Sequence, residues 1–266
     1  MDFVKGEILH INKPYGMSSF GALAFVRTRI SKAMGVKRVK TGHAGTLDPL
    51  ATGVLILCTG KCTKMIPNLQ YDSKEYTATL QFGATTASYD MEHPVNQEYP
   101  AGHITEELLL ETLRQFEGDI MQVPPVYSAV HVNGKRAYDL ARKIDPSAEK
   151  EKSEHTYSNA NKEAADSVLI EEAEKEIPAK PVHVDEIELL WFDAEKKQAQ
   201  IRVACGKGTY IRSLARDIGK AIGSGAYLTQ LCRTRLGDVR IEDCITLDDF
   251  PAWLSDNMPG SKTIKQ

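Results

Sequence analysis

Gly42-His43-Ala44-Gly45-Thr46-Leu47-Asp48-Pro49-Leu50-Ala51-Thr52-Gly53 is the stretch from which the rest of the chain can be read. It packs one carboxylate, one histidine and three glycines into a turn-rich run. It leads directly into Val54-Leu55-Ile56-Leu57-Cys58, an apolar segment that reads as a buried strand. Pro49 disfavours the helical conformation of the residue before it, so Asp48 is expected on a stiff, extended loop. Alone, a Gly-Asp-Pro cluster reads as a surface turn. The blocks that accompany it along the chain decide otherwise.

Composition bounds the class. A chain of 266 residues that is 42% hydrophobic has enough apolar material for one large domain or a main domain with an appendage. No apolar run approaches the ~18 residues that would read as a membrane span, and the N-terminus lacks the basic and apolar regions of a secretory signal. The expectation is a soluble, cytoplasmic protein. Five scattered cysteines argue against a disulfide framework and read as buried thiols in a reducing compartment.

The net charge of −3 hides an asymmetry. Residues 1–64 carry ten Lys/Arg against three acids, with Arg27, Arg29, Lys32, Lys37, Arg38 and Lys40 uninterrupted by any acid. Residues 204–240 carry seven Lys/Arg against two acids, whereas 145–180 carries ten acids against five lysines. Two basic segments flanking the informative blocks suggest a phosphate-binding groove, although a charge run is more often a solvated face.

Strand and helix patterns alternate. Ser19 is a plausible cap for a helix from Phe20 to about Lys32, and Thr105 opens a helix through Phe116 that stops near Gly118. Tyr76–Phe82 and 200–204 read as strands, and 182–189 alternates for part of its length. Ile211, Leu214, Ala215, Ile218 and Ile222 recur at helical spacing before Gly223. This mixture indicates an α+β domain. Residues 145–180, poor in aromatics and without glycine, read as disordered or as an exposed helix near 166–176.

The 42–53 block resembles the signature of the tRNA pseudouridine-55 synthase (TruB) family, usually GHTGTLDPLATG, departing from it at Ala44. The resemblance continues upstream in Lys13-Pro14-Tyr15-Gly16-Met17-Ser18-Ser19 and downstream in Lys74-Glu75-Tyr76. It takes in Gln122-Val123-Pro124-Pro125-Val126-Tyr127-Ser128, Asn133-Gly134-Lys135-Arg136-Ala137-Tyr138 and Gly206-Lys207-Gly208-Thr209-Tyr210-Ile211-Arg212. It implies a mixed, largely antiparallel central sheet with flanking helices and an active-site cleft across it. The catalytic domain would span 1–250, interrupted by an acidic insertion at about 145–180. The remaining sixteen residues, 251–266, would be a short tail, too short for the RNA-binding PUA domain many relatives carry.

The resemblance also implies an activity: isomerisation of a uridine in the tRNA T-loop to pseudouridine after the base is flipped out. Asp48 matches the essential aspartate, Arg212 the arginine that pairs with it, and Tyr76 the aromatic that stacks on the target base. His43 matches the residue that displaces the nucleotide, and Tyr210 and Leu231 match positions lining the uracil pocket. His131 stands where relatives usually have Lys. The reaction requires no metal or other cofactor; the partner implied is the tRNA T-stem-loop, and no obligate protein partner is implied.

Rival readings are weaker. A P-loop fails because Leu55 stands at its first glycine and Cys62 follows Lys61. A guide-RNA-dependent relative would be expected to carry the missing C-terminal domain. A non-catalytic RNA chaperone has no need of Asp48, Tyr76 and Arg212 together.

Overall fold

The computed structural model describes residues 1–69, 71, 73–128, 131–132, 135–136, 175 and 177–258; the side chains of 131–136 and the expected helix near 166–176 lie outside the described residues. The chain divides into two compact units, 1–77 with 231–266, and 78–230. Its strands form a mixed, mostly antiparallel sheet with helices, as the sequence led us to expect.

In the first unit, β1 (Ile8–Lys13), α1 (Ser19–Ala33), β2 (Thr41–Ala44) and β3 (Thr52–Thr59) follow in order. β3 is the organising strand. Along one edge it pairs antiparallel with β1, from Ile8↔Cys58 to Lys13↔Gly53. Its other edge is shared, and β2 takes Ile56 to Thr59.

A 3₁₀ segment covers Gly60–Leu69, and β4 (Lys74–Phe82) runs on into the second unit. Side chains of β3 alternate between two clusters, as a strand covered on both faces requires. Leu55 and Leu57 pack with Ala22, Leu23, Val26 and Ile30 of α1, while Val54, Ile56 and Cys58 pack with Ala44 and Leu69. The unbroken apolar run 54–58 therefore marks burial on both sides.

In the second unit, β5 (Ala84–Thr86) pairs with β6 (Val95–Glu98), α2 covers Glu106–Arg114 and β7 covers Gly118–Gln122. A two-residue pair, β8 (His131–Val132) and β9 (Lys135–Arg136), follows. β10 (Lys180–Asp193) is flanked by β7 and β11 (Gln198–Cys205), both antiparallel to it. α3 covers Ile211–Ala221.

β12 (Ala226–Leu236) returns to the first unit. There it pairs parallel with the start of β3, at Cys232↔Thr52 and Arg233↔Gly53. β13 (Val239–Arg240), β14 (Ile245–Thr246) and α4 (Phe250–Asn257) complete the fold.

Helix boundaries follow their caps. Thr105 caps α2 as expected, accepting from the Leu108 N–H at 3.2 Å. For α1 the cap is Ser18, whose Oγ accepts from the Gly21 N–H at 3.0 Å. Ser19, expected in that role, is the first helical residue and its hydroxyl is committed elsewhere. β10 alternates only in part because register shifts at Val184/Glu186 and Leu189/Trp191 put two exposed residues in succession. No described helix is long and apolar enough to cross a membrane.

Residues 250–257 form an ordered helix that the sequence did not announce. Phe250 is fully buried in the α1 cluster and stacks on Trp253 with ring centroids 5.7 Å apart. Phe250→Ala should lower the free energy of unfolding by about 3–5 kcal/mol in urea titrations. A loss under about 1 kcal/mol would show that α4 is not part of the core.

Candidate active site

The loop 45–51, which carries Asp48, connects β2 to β3 and is held at five points within the first unit. Ser19 Oγ, buried, donates to the Leu47 carbonyl at 2.9 Å and accepts from the Leu47 N–H at 2.8 Å. This two-way clamp fixes the residue before the carboxylate. The Ala51 N–H donates to the Asp48 carbonyl at 3.1 Å, and the Gly16 N–H donates to Pro49 O at 3.0 Å. Lys13, with no exposed surface, donates to the carbonyls of Pro14 (2.9 Å), Met17 (2.6 Å) and Pro49 (3.2 Å). Three donors meet three acceptors, so the ammonium is fully occupied.

The fifth point is Arg233, 1% exposed, at the fork where the edge of β3 passes from β2 to β12. Its Nε donates to Val54 O at 2.8 Å and a terminal N–H to Gly45 O at 3.0 Å. The approach requires glycine at position 53: φ is +101°, and a Cβ there would overlap the Arg233 carbonyl.

Charges in this unit are tuned mainly by burial. Desolvation lowers the Lys13 ammonium to about 8; the Asp48 carboxylate opposes the shift and Arg233 adds to it. Lys13 therefore remains largely protonated at pH 7 and places positive charge beside Asp48. His43, on β2, is pushed below the usual histidine range by burial and then by Arg233, so its imidazole is neutral at pH 7. Its buried Nδ1 has no hydrogen-bond partner among the described residues. Tyr76, on β4, is 8% exposed, and the Leu231 carbonyl accepts from Thr52 Oγ1 at 3.4 Å. Asp48, His43, Tyr76 and Leu231 thus belong to one unit.

Tyr210 and Arg212 belong to the second unit. Gln122 fixes Tyr210, the residue before α3, in both directions: its Oε1 accepts from the Tyr210 N–H at 2.8 Å and its amide donates to the Tyr210 carbonyl at 3.2 Å. Arg212 is not an exposed helix cation. It is 4% exposed and donates to the carbonyls of Ser88 (3.2 Å) and Tyr127 (2.9 Å), with its Nε 3.8 Å from Asp90 Oδ2. Asp90 in turn accepts from Ser88 Oγ at 2.5 Å and the Glu92 N–H at 2.9 Å.

Lys13, Arg233, Asp90 and Gln122 are not legible as site residues from local sequence. Lys13 and Gln122 lie inside blocks that point to the site, and that is their only signal. Among the described residues no three His, Cys, Asp or Glu side chains stand together as a metal site.

The N-terminal-domain profile of the TruB family pseudouridylate synthases matches residues 31–167, and that of the tRNA pseudouridylate synthase B C-terminal domain matches 212–264. The tRNA pseudouridine synthase B of Bacteroides thetaiotaomicron is 52% identical over 256 residues, 96% of this chain and 95% of the relative. The chain belongs to the TruB family of pseudouridylate synthases.

TruB relatives differ in length. The tRNA pseudouridine synthase B of Flavobacterium johnsoniae is 42% identical, with 94% of this chain and 96% of the relative covered. That of Acaryochloris marina is 40% identical, and the match takes in 90% of this chain but 71% of the relative. The TruB chain also superposes on a chain of a Cbf5-Nop10-Gar1 complex with a TM-score of 0.63 and 26% identity. That match covers 97% of this chain and 58% of the other.

The fork at Gly53 gives a direct test of the mounting. Gly53→Ala combines backbone strain with a clash against a buried strand, and should destabilise the protein by about 2 kcal/mol or more. A thermal or urea melt unchanged from the parent would show that the close approach is not required.

Proposed function

We propose that this pseudouridine synthase isomerises the uridine at position 55, in the T-loop of tRNA, to pseudouridine without a cofactor. The N1–C1′ bond breaks, the freed uracil turns, and C5 bonds to C1′. A proton leaves C5 and one is gained at N1, so atoms and electrons balance without an oxidant or water. In this reading Asp48 supplies the carboxylate that acts as nucleophile or stabilises the cationic sugar. Arg212 is the arginine this reading pairs with that carboxylate, its planar fork being suited to orienting it. Tyr76 stacks on the extruded base, and Tyr210 and Leu231 line the uracil pocket.

His43 displaces the nucleotide from its stack. A neutral imidazole suits that task, because it enters a base stack without the desolvation penalty of a charged ring.

The observation that carries the reading is the mounting of Asp48. Ser19, Lys13 and Arg233 bind the backbone of its loop, so the carboxylate is positioned by a rigid frame. A surface aspartate needs no such frame. The tRNA substrate rests on the names of the relatives, which are tRNA pseudouridine synthases, and a cytoplasmic location belongs to the same proposal. The acidic segment 145–180 contributes none of the proposed site residues, and we assign it no part in the chemistry.

Asp48→Asn should abolish pseudouridine formation while tRNA affinity stays within roughly tenfold, because the carboxylate acts in the chemistry more than in binding. Substantial product from this variant under single-turnover conditions would refute the assignment. An isolated T-stem-loop should be modified within about tenfold of the rate on full-length tRNA, since RNA loops are read through splayed bases and local backbone. Product mapped outside the T-loop, or reaction with full-length tRNA alone, would remove the substrate claim even if Asp48 proved catalytic.

A further inference from the structure

The structure separates the two basic segments that look alike in sequence. In 204–240 the arginines serve the protein itself. Arg212 and Arg233 donate to the carbonyls described above, and Arg216 to Val123 O at 2.9 Å and to Asp217. Arg235 donates to Ser73 Oγ and Gly237 O. Four of that segment's seven cations are therefore committed to internal acceptors.

The first segment is arranged in the opposite way. Lys32, Lys37, Arg38 and Lys40 are exposed, and none pairs with an acid among the described residues. They are nevertheless not on a loose strand of charge. Val39, between Arg38 and Lys40, is buried in the α1 cluster, and its N–H donates to Ser31 Oγ at 3.0 Å. The Val36 N–H donates to Ser31 O at 3.0 Å, and the Lys40 carbonyl accepts from the Gly60 N–H at 2.8 Å. The turn is thus fixed on both sides of the charges. On α1 itself, the Arg29 guanidinium carbon lies 3.3 Å from the Phe25 ring centroid.

We propose that Lys37, Arg38 and Lys40, extended by Lys32 at the end of α1, form a preordered rim that grips the RNA sugar-phosphate backbone beside the target nucleotide. This rests on the proposed function above. Lys40 immediately precedes β2, and three strand residues of ~3.3 Å each put it roughly 10 Å along the chain from His43. A polyanion approaching His43 therefore meets the rim. Exposed cations with no amide side chain among them suit backbone contacts, which position RNA and carry no sequence information. Because the turn is already folded, its ordering cost does not fall on binding.

The test compares two charge-neutralising sets by filter binding of tRNA across a salt series. Lys37→Gln/Arg38→Gln/Lys40→Gln should weaken binding by about tenfold or more and flatten the dependence of log affinity on log salt by roughly 2–3 units. Lys220→Gln/Arg240→Gln, which removes two exposed charges from the other segment, should change affinity less than about threefold. The double variant Lys37→Gln/Arg38→Gln, which leaves Lys40 in place, should show an intermediate loss and replaces the triple variant if that fails to fold by circular dichroism. Equal losses in both sets, an unchanged salt slope, or tighter retention on phosphatidylserine vesicles than on tRNA would overturn the rim. Failure of the wild-type protein to make pseudouridine would instead sink the activity and leave the binding result standing.

Discussion

Much of the first unit depends on one buried guanidinium. Arg233 sits at the fork where β3 exchanges one edge partner for another, and its donors go to the carbonyls of Val54 and Gly45. Burying a charge is costly unless every donor finds an acceptor, and a charge-assisted hydrogen bond returns about 1.5–3 kcal/mol. A fork also leaves backbone carbonyls without a regular ladder partner, and these carry their own desolvation cost. The cation and the carbonyls relieve each other. Lys13 repeats the device at Pro49 of the same loop, using all three ammonium donors on carbonyls. A turn-rich, glycine-rich run of chain thereby acquires the rigidity of the sheet that flanks it.

The second unit uses the same physics with different residues. Gln122 binds both polar backbone groups of Tyr210, and Arg216 and Ser213 both donate to Val123 O, so the chain before Pro124 is fastened to α3. Arg212 holds the carbonyls of Ser88 and Tyr127 together with the Asp90 carboxylate. Next to that carboxylate, Tyr89 has φ +57°, a left-handed conformation uncommon for a residue with a side chain. Its carbonyl accepts from the Leu228 N–H at 3.0 Å and Arg216 lies over its ring at 5.3 Å, so the surroundings hold the conformation in place. In both units, long polar side chains act on backbone atoms distant in sequence.

That distance explains what could be read from the sequence. β3, β4, α2 and α3 are legible because their signals are periodic and local: an apolar run, a β-branched segment, a Thr cap, a helical stripe. β10 is half legible because two bulges slip the phase of its alternation. The first helix is misread by one residue because two adjacent serines compete for the cap, and only contact with Leu47 shows that Ser19 is already used. α4 is missed because eight residues give too short a window for periodicity, and its evidence is Phe250 against residues more than 200 positions away. Lys13 and Arg233 could not be singled out at all. Their roles are defined by carbonyls 36 and 188 residues distant, and a carbonyl leaves no mark in a sequence.

The same argument separates a charged residue from a charged function. With seven cations in 204–240 and ten in 1–64, sequence treats both segments as candidates for phosphate binding. Burial divides them. A guanidinium whose donors are spent on carbonyls has little hydrogen-bonding capacity left for an incoming anion, although its field persists at short range. Lys13 and Arg233 therefore shape the potential around Asp48 and His43 while remaining closed to ligand. An exposed lysine on a pinned turn has the opposite properties: its donors are open, and its field is screened within about 10 Å at moderate salt. Internal cations set the chemistry of a site, and external cations set its affinity and salt dependence.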